Sequence, residues 1–167
     1  IGLGADFISL YAYYLASPLN WLLLLCPAKS VLDFMALLTL LKLALSGLTF
    51  GYYLKCHYKR NDWSLGVFAA AYALSGYVAA YSWNIMWTDC IVLLPLIILG
   101  VERLVKEGDG RLYYISLAVS IISNYYISIM ICIFLVLYFI MQLFTNGIPF
   151  KQKVRAVLQF ALFSALA

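Results

Sequence analysis

Charge is what this sequence has least of. Only 11% of its 167 residues are Asp, Glu, Lys or Arg, whereas 66% are hydrophobic. A soluble domain carries roughly 25% charged residues, so the composition excludes an ordinary soluble domain and predicts an all-α polytopic membrane protein in contact with the lipid bilayer. The chain begins at Ile1 rather than Met and ends within an apolar run, so we expect it to be a piece of a larger protein.

The sequence also lacks the motifs of several chemistries. It has one histidine, and the spacing of its four cysteines matches no metal or disulfide signature. It contains no P-loop, no glycine-rich nucleotide fingerprint and no Ser-His-Asp pattern. No signature demands a metal, so the cofactors stay unknown and participation of a divalent cation stays open. The basic loops are topology signals rather than a nucleic-acid patch, and we interpret His57 as a solvated residue of one such loop.

Apolar runs predict the membrane-spanning elements. Residues 31–167 are expected to form a transmembrane bundle with spans at 31–54, 64–83, 90–105, 112–144 and 154–167, the last of them incomplete. Residues 1–30 are expected to form an extracytoplasmic loop. A polar break at residues 17–20 interrupts the apolar stretch 8–26, which favours two short interfacial helices; an extra span over 8–26 is the alternative.

The basic residues orient these spans. Nine of the eleven lie in three short loops, which the positive-inside rule assigns to the cytoplasm. Both ends of the segment 112–144 then face inside, so it is predicted to be a helical hairpin of 112–122 and 127–144 with a polar turn at 123–126. Its first leg reaches only about 16 Å, so the turn should be recessed below the outer surface. Residues 64–104 likewise form a hairpin, whose outer turn is 83–89.

An acidic residue stands at the mouth of a predicted span. Asp89 follows Asn84 and Trp87 in the outer turn, and a carboxylate there suits a general base or a ligand for a cation. The alternative is an N-cap of the third span, because Asp is a favoured cap. We predict that Asn84 and Trp87 contribute to substrate binding beside Asp89.

A lysine lies near the centre of the first span. A buried cation is costly there, so Lys42 is predicted to recognise an anionic group such as a phosphate; pairing with an acid or snorkelling is the alternative. Asn124, Tyr125 and Tyr126 are predicted to bind substrate through hydrogen bonds and ring stacking. The alternative is a capped hairpin turn with tyrosines at the membrane interface. Asp6 either joins the same outer site or is a solvated loop carboxylate.

Four stretches carry a family resemblance. The sequences SLYAYYLASPLN (9–20), LKLALSGLTF (41–50), YSWNIMWTD with LLPLI (81–89, 93–97) and ISNYYI (122–127) resemble the YfhO family of bacterial membrane proteins. Members are large multispanning proteins, mostly of Gram-positive bacteria, and are similar to GT-C fold glycosyltransferases. The resemblance implies a GT-C-like bundle in the plasma membrane. It further implies transfer of a sugar from a polyprenyl-phosphate carrier to an extracytoplasmic polyol-phosphate or glycan acceptor, such as teichoic or lipoteichoic acid.

The same resemblance implies roles for individual residues. Asp89 would serve the acceptor hydroxyl, Lys42 the donor phosphate, and the recessed hairpin the lipid tail. GT-C enzymes place their key acid in the first outer loop, so we expect the principal carboxylate before Ile1. Asp6 would be a second acid of that loop, and Asp89 a member of the donor site rather than its sole base. A transporter or flippase for a lipid-linked or anionic substrate is the alternative, and a non-catalytic membrane scaffold is a third.

Overall fold

The computed structural model of the chain describes residues 4, 11, 16–147 and 149–167. It is 84% helical, and the described residues contain no strand. In the described part of the chain, two short 3-10 helices, Asn20–Leu25 and Ala28–Ser30, precede the longer helices. They are followed by α1 (Val31–Tyr58), α2 (Trp63–Ala73), α3 (Gly76–Tyr81), α4 (Ile85–Glu107), α5 (Arg111–Ser123), α6 (Tyr125–Thr145) and α7 (Phe150–Leu166). The predicted all-α class is confirmed.

Four segments are long and apolar enough to cross a membrane. They are Val31–Tyr58, Trp63–Tyr81, Ile85–Glu107 and Tyr125–Thr145, and Arg111–Ser123 is a shorter apolar helix. The second of them is not continuous, because α2 ends at Ala73 and α3 starts at Gly76 after an extended Ser75. The chain is therefore an all-α membrane protein in which the span Trp63–Tyr81 is broken.

Helices α5 and α6 fold back on each other. A single residue, Asn124, separates them in an extended conformation with φ −161° and ψ 105°. The ring of Phe160 in α7 stacks on Tyr113 of α5 at 5.3 Å and on Phe139 of α6 at 4.2 Å. Residues far from the turn on both helices thus lie side by side. The predicted helical hairpin is confirmed, with a turn shorter than the predicted residues 123–126.

The hairpin tip does not reach the start of the neighbouring α4. The thiol of Cys90 lies 3.8 Å from the carbonyl oxygen of Asn124 and 3.8 Å from that of Ser120. Cys90 comes five residues after Ile85, where α4 begins, which corresponds to about 7 Å along a helix. The polar turn is accordingly set back from the end of α4 and covered by protein, as non-helical backbone at membrane depth must be.

Helix α4 is the centre of the bundle and packs against α1, α5, α6 and α7. It is the most deeply buried of the candidate spans. Its contact with α5 depends on Gly100, where any Cβ would overlap the backbone of Tyr113. Helix α4 begins at Ile85 rather than at the predicted residue 90, so the connection from α3 is only residues 82–84.

Candidate functional site

The intramembrane lysine and the acid of α4 form a buried ion pair. Lys42 Nζ lies 2.9 Å from Asp89 Oδ2, and the two side chains are 0% and 3% exposed. Lys42 Nζ also donates to Asn20 Oδ1 at 2.7 Å and to the carbonyl oxygen of Ile85 at 2.8 Å. The pair joins α1 to α4, and Asn20 attaches the 3-10 helix Asn20–Leu25 to Lys42.

The hydrogen-bonding capacity of this cluster is unevenly used. A lysine ammonium has three N–H donors, and all three of Lys42 are engaged. Asp89 Oδ1 is buried and accepts no hydrogen bond from the described residues. An unpaired buried carboxylate oxygen is costly, and the cluster thus has one acceptor position that no described residue uses.

An open cavity of about 660 Å³ borders the ion pair. Asn20 and Ile85, which both accept hydrogen bonds from Lys42, lie in its wall. Its other lining residues are mostly apolar or aromatic, namely Tyr11, Trp21, Leu23, Leu24, Met35, Trp83, Asn84 and Met86. An apolar cleft with a few polar groups at one place is typical of a ligand site.

Of the two predicted binding residues at the start of α4, Asn84 lines the cavity and Trp87 does not. Asn84 is buried, lines the cavity and occupies the N-cap position of α4. Asp89 lies inside the helix, so the alternative that Asp89 is the N-cap is wrong. Trp87 packs its ring 5.9 Å from Tyr81 and 6.3 Å from Tyr126. It thereby connects the start of α4 to the hairpin.

The polar turn of the hairpin divides into a buried and an exposed part. Asn124 is fully buried, and its side chain accepts a hydrogen bond from the amide of Ile127 at 3.0 Å, so it caps α6. Tyr125 and Tyr126 are about half exposed. The structure brings Tyr126 to Trp87 and Asn124 to Cys90, next to Asp89 in sequence. The turn thus contacts α4 through residues on either side of Asp89 in the sequence.

Two expectations concern metal and the N-terminal acid. Within the described part of the chain, no group of three or more His, Cys, Asp or Glu side chains could hold a metal ion. Asp6 lies outside the described residues. The site as described therefore consists of Lys42, Asp89 and Asn20 together with Asn84.

A second buried acid, Glu102, was not among the predicted site residues. Its carboxylate accepts hydrogen bonds from Tyr53 at 3.1 Å and Tyr138 at 2.7 Å, and His57 Nδ1 lies 2.9 Å away. Lys106 Nζ lies 3.4 Å from it in the same helix. The expectation that His57 is a solvated loop residue is wrong, because α1 continues through Tyr58 and carries the imidazole to α4.

Two residues with buried polar contacts, Glu102 and Asn20, were not among the predicted site residues, and the sequence indicates only Glu102. Glu102 falls inside a predicted span, and Tyr53 and His57 have the i, i+4 spacing of one helical face, so a polar contact between these spans could have been expected. Asn20 had no such signal. It belongs to the polar break before the first span, and only the fold shows that it contacts a residue 22 positions later.

Comparisons with known proteins agree with the fold. The model of the family described as "Bacterial membrane protein YfhO" matches residues 1–167, the whole chain. No curated protein matches the sequence, and no solved structure matches it either. With its helical membrane architecture and a match over its full length, the chain belongs to the YfhO family of bacterial membrane proteins.

Proposed function

We propose that this chain is part of the membrane domain of a GT-C-like glycosyltransferase in the bacterial plasma membrane. It transfers a sugar from a polyprenyl-phosphate carrier to an extracytoplasmic acceptor such as teichoic or lipoteichoic acid. The observation that carries the proposal is the buried Lys42–Asp89 pair, which has one unpaired carboxylate oxygen and is hydrogen-bonded through Lys42 to two residues, Asn20 and Ile85, in the wall of an apolar cavity. Intramembrane ionisable residues are usually functional.

The chemistry requires few groups. The acceptor hydroxyl attacks the anomeric carbon, the bond from that carbon to the phosphate oxygen breaks, and polyprenyl phosphate leaves with the electron pair. The hydroxyl proton passes to a carboxylate. In this proposal Asp89 contributes its unpaired Oδ1 to the reacting hydroxyl. In this proposal the principal base is another acid, in the first outer loop, and Asp6 acts as a second acid of that loop.

Lys42 has a narrower role than that of a free phosphate ligand. Since its three N–H groups are engaged, it supplies positive charge beside the donor phosphate and holds Asp89 in place through Oδ2. The cavity walls offer the polyprenyl chain apolar contact, and the exposed rings of Trp83, Tyr125 and Tyr126 offer the sugar stacking faces.

The test is sugar transfer by the full-length protein in proteoliposomes with a polyprenyl-phosphate-sugar donor. We expect Asp89→Asn to lower the rate by about 10²-fold, and Lys42→Met and Asp6→Asn to lower it as well. Asp33→Asn is the matched control, because Asp33 is an exposed acid in the first turn of α1 and should leave transfer unchanged. Unchanged transfer in all three variants would rule out the site.

The same proteoliposomes separate a transferase from a flippase. A transferase forms glycosylated acceptor and free polyprenyl phosphate in equal amounts. A flippase moves the intact lipid-linked sugar across the bilayer without forming either product. Movement of the donor without product would therefore replace the proposed function with the transport alternative, and neither movement nor product would favour a scaffold.

A further inference from the structure

The 3-10 helix Asn20–Leu25 is tied to the ion pair through the side chain of Asn20. Asn20 is buried, and its Oδ1 accepts the shortest of the three hydrogen bonds from Lys42, at 2.7 Å. Its backbone is fixed as well, because its amide donates to the carbonyl oxygen of Ser17 at 3.1 Å. A neutral acceptor is thus held rigidly against a buried cation at the cavity wall.

The geometry determines which oxygen of Asp89 is used. Asn20 and the Ile85 carbonyl each take one N–H of Lys42, so a single N–H remains for the carboxylate and it goes to Oδ2. Oδ1 is left unpaired. If Asn20 lost its acceptor, one N–H of Lys42 would need a new partner in a buried site, and Asp89 Oδ1 is a buried acceptor without one.

We propose that Asn20 is a positioning residue of this site: it limits Lys42 to one oxygen of Asp89 and so keeps Oδ1 available to a hydroxyl of the substrate. The proposal rests on the proposed glycosyltransferase function for the identity of that hydroxyl. Its claim about the pairing of Lys42 and Asp89 is independent of the reaction, so the two can fail separately.

The experiment compares Asn20→Ala with Asn20→Asp in the full-length protein. Asn20→Ala removes the acceptor, and we expect kcat of sugar transfer to fall at least about tenfold with KM for the donor within about twofold, since hydrogen bonds to charged groups are among the stronger ones. Asn20→Asp keeps an acceptor oxygen but makes the cluster net negative. It should retain most of kcat and raise KM for the anionic donor.

A double-variant cycle tests whether Asn20 acts through Lys42. In a Lys42→Met background, Asn20→Ala should cause no further loss of kcat, because the group it positions is gone. Asn61→Ala is the matched control, since Asn61 is exposed and lies between α1 and α2. An equal loss in both backgrounds would show a role independent of Lys42 and would overturn the proposal. A lower KM in Asn20→Ala would overturn it too, by making Asn20 a competitor of the phosphate.

A second readout does not depend on activity. The thermal midpoints of the same four proteins should be non-additive, with Asn20→Ala costing less in the Lys42→Met background than in the wild type. If the wild type transfers no sugar and the midpoints are still coupled, the proposed function fails and the pairing role of Asn20 stands. Additive midpoints would overturn the positioning role whatever the activity.

Discussion

Removing the positive charge of Lys42 should destabilise the protein strongly, because the buried carboxylate of Asp89 would lose its charged partner. Asp89 is 3% exposed, and the Lys42 ammonium is its hydrogen-bond donor at Oδ2. Breaking a buried ion pair by removing one partner costs about 3–5 kcal/mol. We therefore expect Lys42→Met to lower the free energy of unfolding by roughly that amount, measured by SDS titration in mixed micelles.

The second substitution makes the test specific to the pair. Adding Asp89→Asn to Lys42→Met removes the unpaired charge and should recover about half or more of the loss. Lys106→Met is the matched control. Lys106 is 45% exposed and lies 3.4 Å from Glu102, so its loss should cost at most about 1 kcal/mol after solvent screening. A Lys42→Met variant as stable as the Lys106→Met control, or strictly additive losses in the double variant, would refute the ion pair.

Two further predictions concern packing and orientation. Gly100→Ala should lower the free energy of unfolding by about 3 kcal/mol or more, because the new Cβ would overlap the backbone of Tyr113. Gly66→Ala is the control, since nothing lies within 4 Å of a Cβ at that position. Equal stability of the two variants would contradict the close approach of α4 and α5. In a cysteine-free background, a membrane-impermeant maleimide added outside intact cells should label Trp83→Cys at once and Asp62→Cys only after permeabilisation. Both positions are exposed, and the positive-inside rule assigns them to opposite sides of the membrane. Labelling of position 62 from outside would reverse the predicted orientation.

The hairpin could be predicted from the distribution of charge and hydropathy along the sequence. A 33-residue uncharged stretch with basic loops at both ends has to return to the side it started from, and Asn124 is the break at which it turns. The extent of that break was less predictable. Asn124 accepts a hydrogen bond from the Ile127 amide, so α6 begins immediately after it, and a cap depends on local geometry that polarity alone does not specify.

The two residues of the ion pair could be identified from the sequence, but their contact could not. Lys42 and Asp89 were each identifiable, because ionisable groups are expensive in a membrane. Their pairing was only one alternative, since it depends on how α1 and α4 rotate about their axes, and 47 residues separate the two side chains. His57 was misjudged for a related reason. A polar residue near the end of an apolar run looks solvated until the helix that continues past it is known.

The catalytic contribution of Asp89 is tested most directly by comparing two buried acids of the same helix. Sugar transfer by full-length Asp89→Asn and Glu102→Gln, reconstituted at matched expression and oriented alike, should differ sharply. The proposed function predicts a loss of about 10²-fold for Asp89→Asn. It predicts less than about tenfold for Glu102→Gln, because that carboxylate is satisfied by Tyr53, His57 and Tyr138 and lies away from the cavity. Equal losses, or full transfer by Asp89→Asn, would contradict the assignment of the site.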